Sequence, residues 1–215
     1  MLTGTWIGSM MVASRWIDTT VRLIVVTAVG AVVGGAQLSP VEVIRSSNDR
    51  IMDVYASNPV IDEAAEAEVT RIMDSATSFD ALGDSAIDPF CDQMTEATCR
   101  DFKQVFEELL RETAIRRLGR YRADAFEYLE ETVDGETALV KTLASYGDNR
   151  VELDYHLERV NDRWLIVNYV VDGIDTVRNY NRQFSRQLRR ESPEQVIERL
   201  RRRKAEIEAE RATTR

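Results

Sequence analysis

The sequence predicts an α+β fold, in which helices flank an antiparallel sheet of about four strands. Up to residue 121 and again after residue 174, apolar residues recur with helical spacing, whereas between residues 123 and 171 they tend to alternate. Turn residues separate the alternating stretches at Asp134-Gly135, Gly147-Asp148-Asn149 and Asn161-Asp162. Consecutive strands joined by short turns form a meander, and one face of such a sheet must be covered.

Four helices are predicted before the sheet. Ser39-Pro40 begins a helical pattern that Asn58-Pro59 ends, and a second pattern covers residues 61–76. A short helix is expected within residues 79–90. The longest helix is predicted from Thr95 to Tyr121, and its broad apolar face consists of Phe102, Val105, Phe106, Leu109, Leu110 and Leu118.

Four strands are predicted in the middle of the chain, at residues 123–133, 137–146, 150–160 and 163–171. The third has the clearest pattern, because apolar and polar side chains alternate and should lie on opposite faces of the sheet. Its apolar residues are Val151, Leu153, Tyr155 and Leu157, and its polar residues are Glu152, Asp154, His156 and Glu158.

An apolar stripe follows the sheet, in the segment VVDGIDTVRNYNRQF of residues 170–184. Its members have helical spacing and predict a helix with one buried face. They are Ile174, Val177, Tyr180 and Phe184.

The last helix is predicted within residues 192–210. Ser192 is its N-cap, Pro193 occupies the first helical position, and Gln195 completes a capping box. We interpret its basic run, residues 199–204, as a solvated face that pairs with the glutamates after it. Contact with anionic headgroups or an acidic partner is the alternative.

Charge and composition make several functional classes unfavourable. The chain has 215 residues and a net charge of -9, so its surface as a whole would repel nucleic acid. One His and two Cys cannot fill a tetrahedral metal site unaided, and no glycine-rich phosphate loop is present. We therefore predict no nucleic-acid partner, no metal and no cofactor.

Residues 1–36 have the features of a signal peptide. Arg15 and Arg22 come before an uncharged apolar run, residues 23–36. This run is shorter than the roughly 20 residues that a transmembrane helix needs. Gly34 and Ala36 fit the -3 and -1 positions of a cleavage site. We predict secretion with cleavage near Ala36; an uncleaved membrane anchor is the alternative. Cleavage would remove two Arg and one Asp and change the net charge from -9 to -10.

Export favours a disulfide between Cys91 and Cys99, because two cysteines in an oxidising compartment are commonly paired. Eight positions along one helix would keep the sulfurs apart, but Thr95 is a suitable N-cap for a new helix between them. Two unpaired buried thiols are the alternative.

Catalytic groups are sparse. His156, the single histidine, lies on the polar side of its strand beside acidic residues, as does Asp154. The pattern directs both away from the core, so no catalytic residue is predicted.

Residues 151–184 resemble the C-terminal half of the MlaC family, the periplasmic phospholipid-binding proteins also called toluene-tolerance auxiliary proteins. The resemblance rests on Asp154-Tyr155, then a strand from Trp164 to Val171, then Gly173, Tyr180 and Phe184 in the family's order and spacing. Residues 95–121 resemble the family's long helix. Phe90 and Cys91 stand near a position where family members usually have Trp, and the two cysteines are a further departure.

The resemblance implies a cone-shaped fold, in which a curved sheet and helices enclose a deep apolar cavity. It also implies a carrier that binds phospholipid by its acyl chains, without catalysing a reaction. Such a carrier exchanges lipid between an outer-membrane lipoprotein complex and an inner-membrane ABC transporter with MCE-domain subunits, and so maintains outer-membrane lipid asymmetry. On this basis we expect the cavity lining to include Phe106, Leu110, Leu153, Tyr155, Val167, Tyr169, Ile174 and Val177.

The mature chain, residues 37–215, is expected to form one monomeric domain. Two other functions remain open at this stage. One is an enzyme of the same cone-shaped fold that acts on a small apolar substrate, and the other is a periplasmic interaction module that binds no lipid.

Overall fold

The structure is a computed structural model that describes residues 37–58 and 60–214. The predicted signal peptide and its cleavage site lie outside the described residues. The elements, in chain order, are α1 (Pro40–Ser57), α2 (Glu63–Ala76), α3 (Phe79–Cys91), α4 (Glu96–Arg120), β1 (Ala125–Asp134), β2 (Thr137–Tyr146), β3 (Asn149–Val160), β4 (Arg163–Val171), β5 (Ile174–Asp175), α5 (Thr176–Gln187) and α6 (Pro193–Thr214). None of the described helices is both long and apolar enough to cross a membrane.

The helices begin where their capping residues predict. Ser39 Oγ accepts a hydrogen bond from the Glu42 amide, and the Glu42 carboxylate accepts one from the Ser39 amide at 2.7 Å. Ser192 and Gln195 form the same reciprocal pair at the start of α6. Thr95 Oγ1 accepts from the Thr98 amide and caps α4. Each cap satisfies amide groups that the first helical turn leaves without partners.

The five strands form one curved antiparallel sheet in the order β1-β2-β3-β4-β5, so the predicted α+β class is confirmed. The fifth strand was not predicted. Asp172 and Gly173 both have positive φ (49° and 74°), which bends the chain back in a two-residue turn and pairs Ile174 with Val171.

The helix after the sheet therefore begins later than its apolar stripe predicts. Asp175 is the N-cap of α5, and Thr176 is its first residue. The prediction that Ile174 belongs to the buried helical stripe is wrong, because this residue is part of β5 and 59% exposed.

A bulge interrupts the pairing of β3 with β4. His156 pairs with Asn168 and Leu157 pairs with Ile166, so Val167 is an extra residue on β4. An extra residue reverses the alternation of side chains on the bulged strand. As a result, Ile166 and Tyr169 both lie on the inner face of the sheet.

The main hydrophobic core lies among the helices. Phe102, Phe106 and Phe184 are almost fully buried, and their rings meet edge to face with centroids 4.9 and 5.1 Å apart. A second cluster lies between α1 and the inner face of the sheet, and contains Ile44, Ala76, Ala138, Val140, Tyr155, Leu157 and Ile166.

Ion pairs join α6 to the long helix α4. Arg201 contacts Asp101 at 2.6 Å, and Lys204 contacts Glu108 at 2.8 Å. Within α6, Arg203 pairs with Glu206 at 2.8 Å. The basic run thus pairs with glutamates that follow it, as predicted, and in addition with acidic residues of α4.

Cys91 and Cys99 form a disulfide, as predicted, with 5.3 Å between their Cα atoms. Cys91 is the last residue of α3, and Cys99 lies in the first turn of α4. The bond therefore joins the two helices across the short turn that Thr95 ends.

Replacing both cysteines by serine is expected to lower the free energy of unfolding by about 2–3 kcal/mol, because the bond closes a loop of 8 residues in the unfolded chain. Urea unfolding followed by circular dichroism measures this difference. Reductant should destabilise the wild-type protein by a similar amount and leave the double serine variant unchanged. Equal stability of the oxidised wild type and the variant would contradict the prediction.

Candidate functional site

A cavity of about 770 Å³ lies between the inner face of the sheet and helices α1 to α5. This volume falls within the range of about 300–1,000 Å³ that small-molecule sites occupy. The helices do not fill the concave side of the sheet, and the remaining space forms the cavity.

Most of the lining is apolar, and it comes from both layers of the fold. Alternation along the strands directs every second side chain inward. The sheet contributes Phe126, Ala144, Val151, Leu153, Ile166 and Val171, and the helices contribute Ile51, Met73, Phe79, Leu82, Leu110, Ala114 and Leu118.

Five of the eight residues predicted to bind lipid border this cavity. They are Leu110, Leu153, Tyr155, Tyr169 and Ile174. Their contact with a ligand stays a prediction, but the fold brings them together around one space.

The other three predicted residues lie elsewhere, which corrects their expected place in the lining. Phe106 is 1% exposed and packs against Tyr180 and Phe184 in the helical core. Val177 packs against the same core. Val167 is the bulge residue and lies on the outer face, beside a shallow depression that also contains His156.

Four polar side chains of the cavity wall, Asn48, Thr77, Tyr155 and Tyr169, have partners within the protein. Asn48 Nδ2 donates to Tyr128 Oη at 3.3 Å, and Tyr155 Oη donates to Asn48 Oδ1 at 3.5 Å. Thr77 and Tyr169 share a hydrogen bond of 2.6 Å between their hydroxyl groups. These pairs satisfy groups that would otherwise be costly to bury.

Burial raises the pKa of two tyrosines of this wall, Tyr155 and Tyr169. It raises the pKa of Tyr169 to about 12, and it also raises the pKa of Tyr155 above its usual value. Both residues therefore stay uncharged well above the pH at which an exposed tyrosine would ionise, and the wall presents their rings and hydrogen-bonded hydroxyl groups.

The linker between α2 and α3 holds Thr77 in place. The Ser78 amide donates to the Ile166 carbonyl at 2.9 Å, which fixes this linker against β4. Neither Asn48 nor Thr77 is apolar, so hydrophobic periodicity gave no signal that they line a cavity.

The mouth of the cavity is marked by lining residues that remain exposed to solvent. Tyr121 is 50% exposed and Ile174 is 59% exposed. The ring of Tyr121 lies 5.5 Å from that of Tyr146, centroid to centroid. Three arginines at the C-terminal end of α4 also border the cavity, namely Arg116, Arg117 and Arg120.

Among the described residues, the cavity lining contains few titratable groups that could act in catalysis. Asp172 is its single carboxylate; it is exposed, and its Oδ1 accepts a hydrogen bond from the Glu152 amide at 3.0 Å. His156 and Asp154 are on the outer face, opposite Asn168 and Val170 of β4. Their outward direction agrees with the strand pattern.

An open, curved antiparallel sheet and its surrounding helices define the class of this protein as an α+β fold built around an apolar cavity. The MlaC protein family matches residues 45–202, and the chain belongs to this family. The resemblance found in residues 95–121 and 151–184 is thereby confirmed.

A solved structure with the same fold is that of the phospholipid-binding protein from Ralstonia solanacearum, in complex with a phospholipid. The two chains superpose with a TM-score of 0.65 and share 19% identity, and the match covers 77% of this chain and 96% of the other. No curated protein sequence matches this chain.

Proposed function

We propose that this protein is a periplasmic phospholipid carrier, which holds the acyl chains of a lipid in the cavity and catalyses no reaction. The observation that carries this proposal is the cavity of about 770 Å³, whose wall is apolar and whose buried polar groups are satisfied within the protein. Membership of the MlaC family and the lipid in the Ralstonia solanacearum structure support it.

The energetics suit a carrier that holds lipid firmly. Each methylene moved from water into an apolar wall contributes about 0.8 kcal/mol, so two acyl chains offer on the order of 20 kcal/mol before the costs of association. Affinities of that size imply slow spontaneous release. Transfer would therefore require a partner that opens or competes with the cavity.

The proposed partners follow from the family. We place the carrier between an outer-membrane lipoprotein complex and an inner-membrane ABC transporter with MCE-domain subunits, where it would help maintain outer-membrane lipid asymmetry. Residues 1–36 would direct export, and residues 37–215 would form one monomeric domain. The disulfide between Cys91 and Cys99 supports an oxidising compartment.

Native purification tests the proposal directly. The mature protein should yield close to one phospholipid per chain when it is extracted with organic solvent and the extract is analysed by mass spectrometry. Delipidated protein should regain lipid from vesicles. If the protein stays lipid-free under both conditions, an interaction module that binds no lipid is favoured, and recovery of a chemically altered lipid would favour an enzyme.

A further inference from the structure

The face of α4 that lines the cavity changes character along its length. Deep in the fold it presents Leu110, Thr113 and Ala114, and over the next two turns it presents Arg117 and Arg120. Residues three and four apart share a helix face, so this one stripe runs from the apolar interior to the mouth. Arg117 and Arg120 are both exposed there.

Other arginines of α4 are already paired. Arg111 contacts Asp74 at 2.8 Å, and Arg116 contacts Glu210 at 2.8 Å. Arg100, near the start of the helix, contacts Glu96 at 2.6 Å. Among the described residues, neither Arg117 nor Arg120 forms an ion pair with a carboxylate.

Arg117 and Arg120 differ from the other arginines of α4 because they border the cavity without an ion-pair partner among the described residues. Their place in the last turn of α4 suits the negative end of the helix dipole, which accounts for their charge but not for their position at a cavity mouth. Guanidinium groups present parallel N–H donors that match the oxygens of a phosphate. An apolar cavity with such donors at its mouth suits a ligand with acyl chains and a phosphate at one end.

We propose that Arg117 and Arg120 bind the phosphodiester of a glycerophospholipid whose acyl chains occupy the cavity. This inference rests on the proposed carrier function and adds to it a preference for phospholipids over uncharged diacylglycerols. Asp172, the exposed carboxylate of the lining, accepts a hydrogen bond from the Glu152 amide and forms no ion pair with either arginine.

The test is a competition between two lipids with identical acyl chains. Delipidated protein is incubated with mixed micelles that contain equal amounts of phosphatidylglycerol and diacylglycerol, and the bound lipids are quantified by mass spectrometry. Wild-type protein should be enriched in phosphatidylglycerol. In the double variant Arg117→Gln/Arg120→Gln the ratio of bound phosphatidylglycerol to diacylglycerol should fall about tenfold, which corresponds to about 1.4 kcal/mol.

The matched control is Arg186→Gln/Arg190→Gln, which removes the same charge from exposed positions that do not border the cavity. Its lipid ratio should equal that of the wild type. If both double variants shift the ratio equally, the net charge of the protein determines which lipid is bound, rather than the two arginines at the cavity mouth. The inference is then overturned. Thermal unfolding of each protein shows whether a change in lipid ratio merely reflects a loss of stability at the end of α4.

Further measurements distinguish a site for a lipid headgroup from a site for free inorganic phosphate. Inorganic phosphate titrated into lipid-free protein and followed by ³¹P NMR should bind only weakly. Strong binding that Arg117→Gln/Arg120→Gln abolishes, together with an unchanged lipid ratio, would show a free-phosphate site and overturn the headgroup assignment. Uptake of both lipids without preference would overturn this inference alone, whereas uptake of neither would contradict the carrier function itself.

Discussion

Replacing Ala114 by tryptophan is expected to reduce the amount of lipid held in the cavity and leave the fold intact. Ala114 borders the cavity on α4, and the larger side chain would project into space that the acyl chains are proposed to occupy. An indole ring would displace on the order of five methylenes, so binding should weaken by about 4 kcal/mol, or on the order of a thousandfold.

Lipid content after native purification measures this effect, because the wild-type protein should retain lipid through every step. Ala97→Trp is the matched control, since Ala97 is an exposed residue of the same helix. Ala144→Phe fills the cavity from the opposite wall, where Ala144 lies on β2, and should also reduce lipid content. Full lipid occupancy in well-folded Ala114→Trp and Ala144→Phe proteins would contradict binding in this cavity.

Local signals predicted the elements of this fold well. Ser39, Thr95 and Ser192 begin helices because their side chains accept hydrogen bonds from amides of the first turn. Gly135 and Gly147 end strands with positive φ, which a turn between antiparallel strands requires. Such effects operate within a few residues, so they can be identified without knowledge of the tertiary structure.

The cavity lining depends on tertiary structure and was harder to predict. Strict alternation along β4 places Val167 on the same face as Tyr169, but the bulge opposite His156 and Leu157 reverses that order. Phe106 was expected in the cavity because it lies on the apolar face of α4. That face is broad, and the part that carries Phe106 is covered by α5 instead.

Apolar periodicity also cannot distinguish a filled core from a hollow one, since both require the same inward-facing side chains. Leu153 and Leu157 alternate inward on the same strand, yet Leu153 borders the cavity and Leu157 is packed in the core at 1% exposure. The difference arises from the helices that cover each end of the sheet. Their positions depend on contacts between residues distant in the sequence.

Phe184 fixes the position of α5 in the helical core. We therefore expect this residue to contribute strongly to the free energy of unfolding and to the position of the cavity wall. Phe184 is 1% exposed, and its ring centroid lies 4.9 Å from that of Phe102 and 5.1 Å from that of Phe106. One turn earlier, Tyr180 borders the cavity and stacks on Phe184 with 6.0 Å between ring centroids. The same helix therefore connects the core to the cavity wall.

Phe184→Ala is expected to lower the free energy of unfolding by about 3–5 kcal/mol, because it removes buried ring contacts and leaves a void among three aromatic neighbours. The thermal midpoint should fall by roughly 6–20 °C. Urea unfolding measures the first quantity and calorimetry the second. Phe184→Leu, which retains much of the volume, should cost less than about 1.5 kcal/mol.

Lipid retention should decrease in the alanine variant and persist in the leucine variant, because α5 carries Tyr180 at the cavity wall. A loss of stability below about 1 kcal/mol in the alanine variant would show that Phe184 does not hold this helix in place.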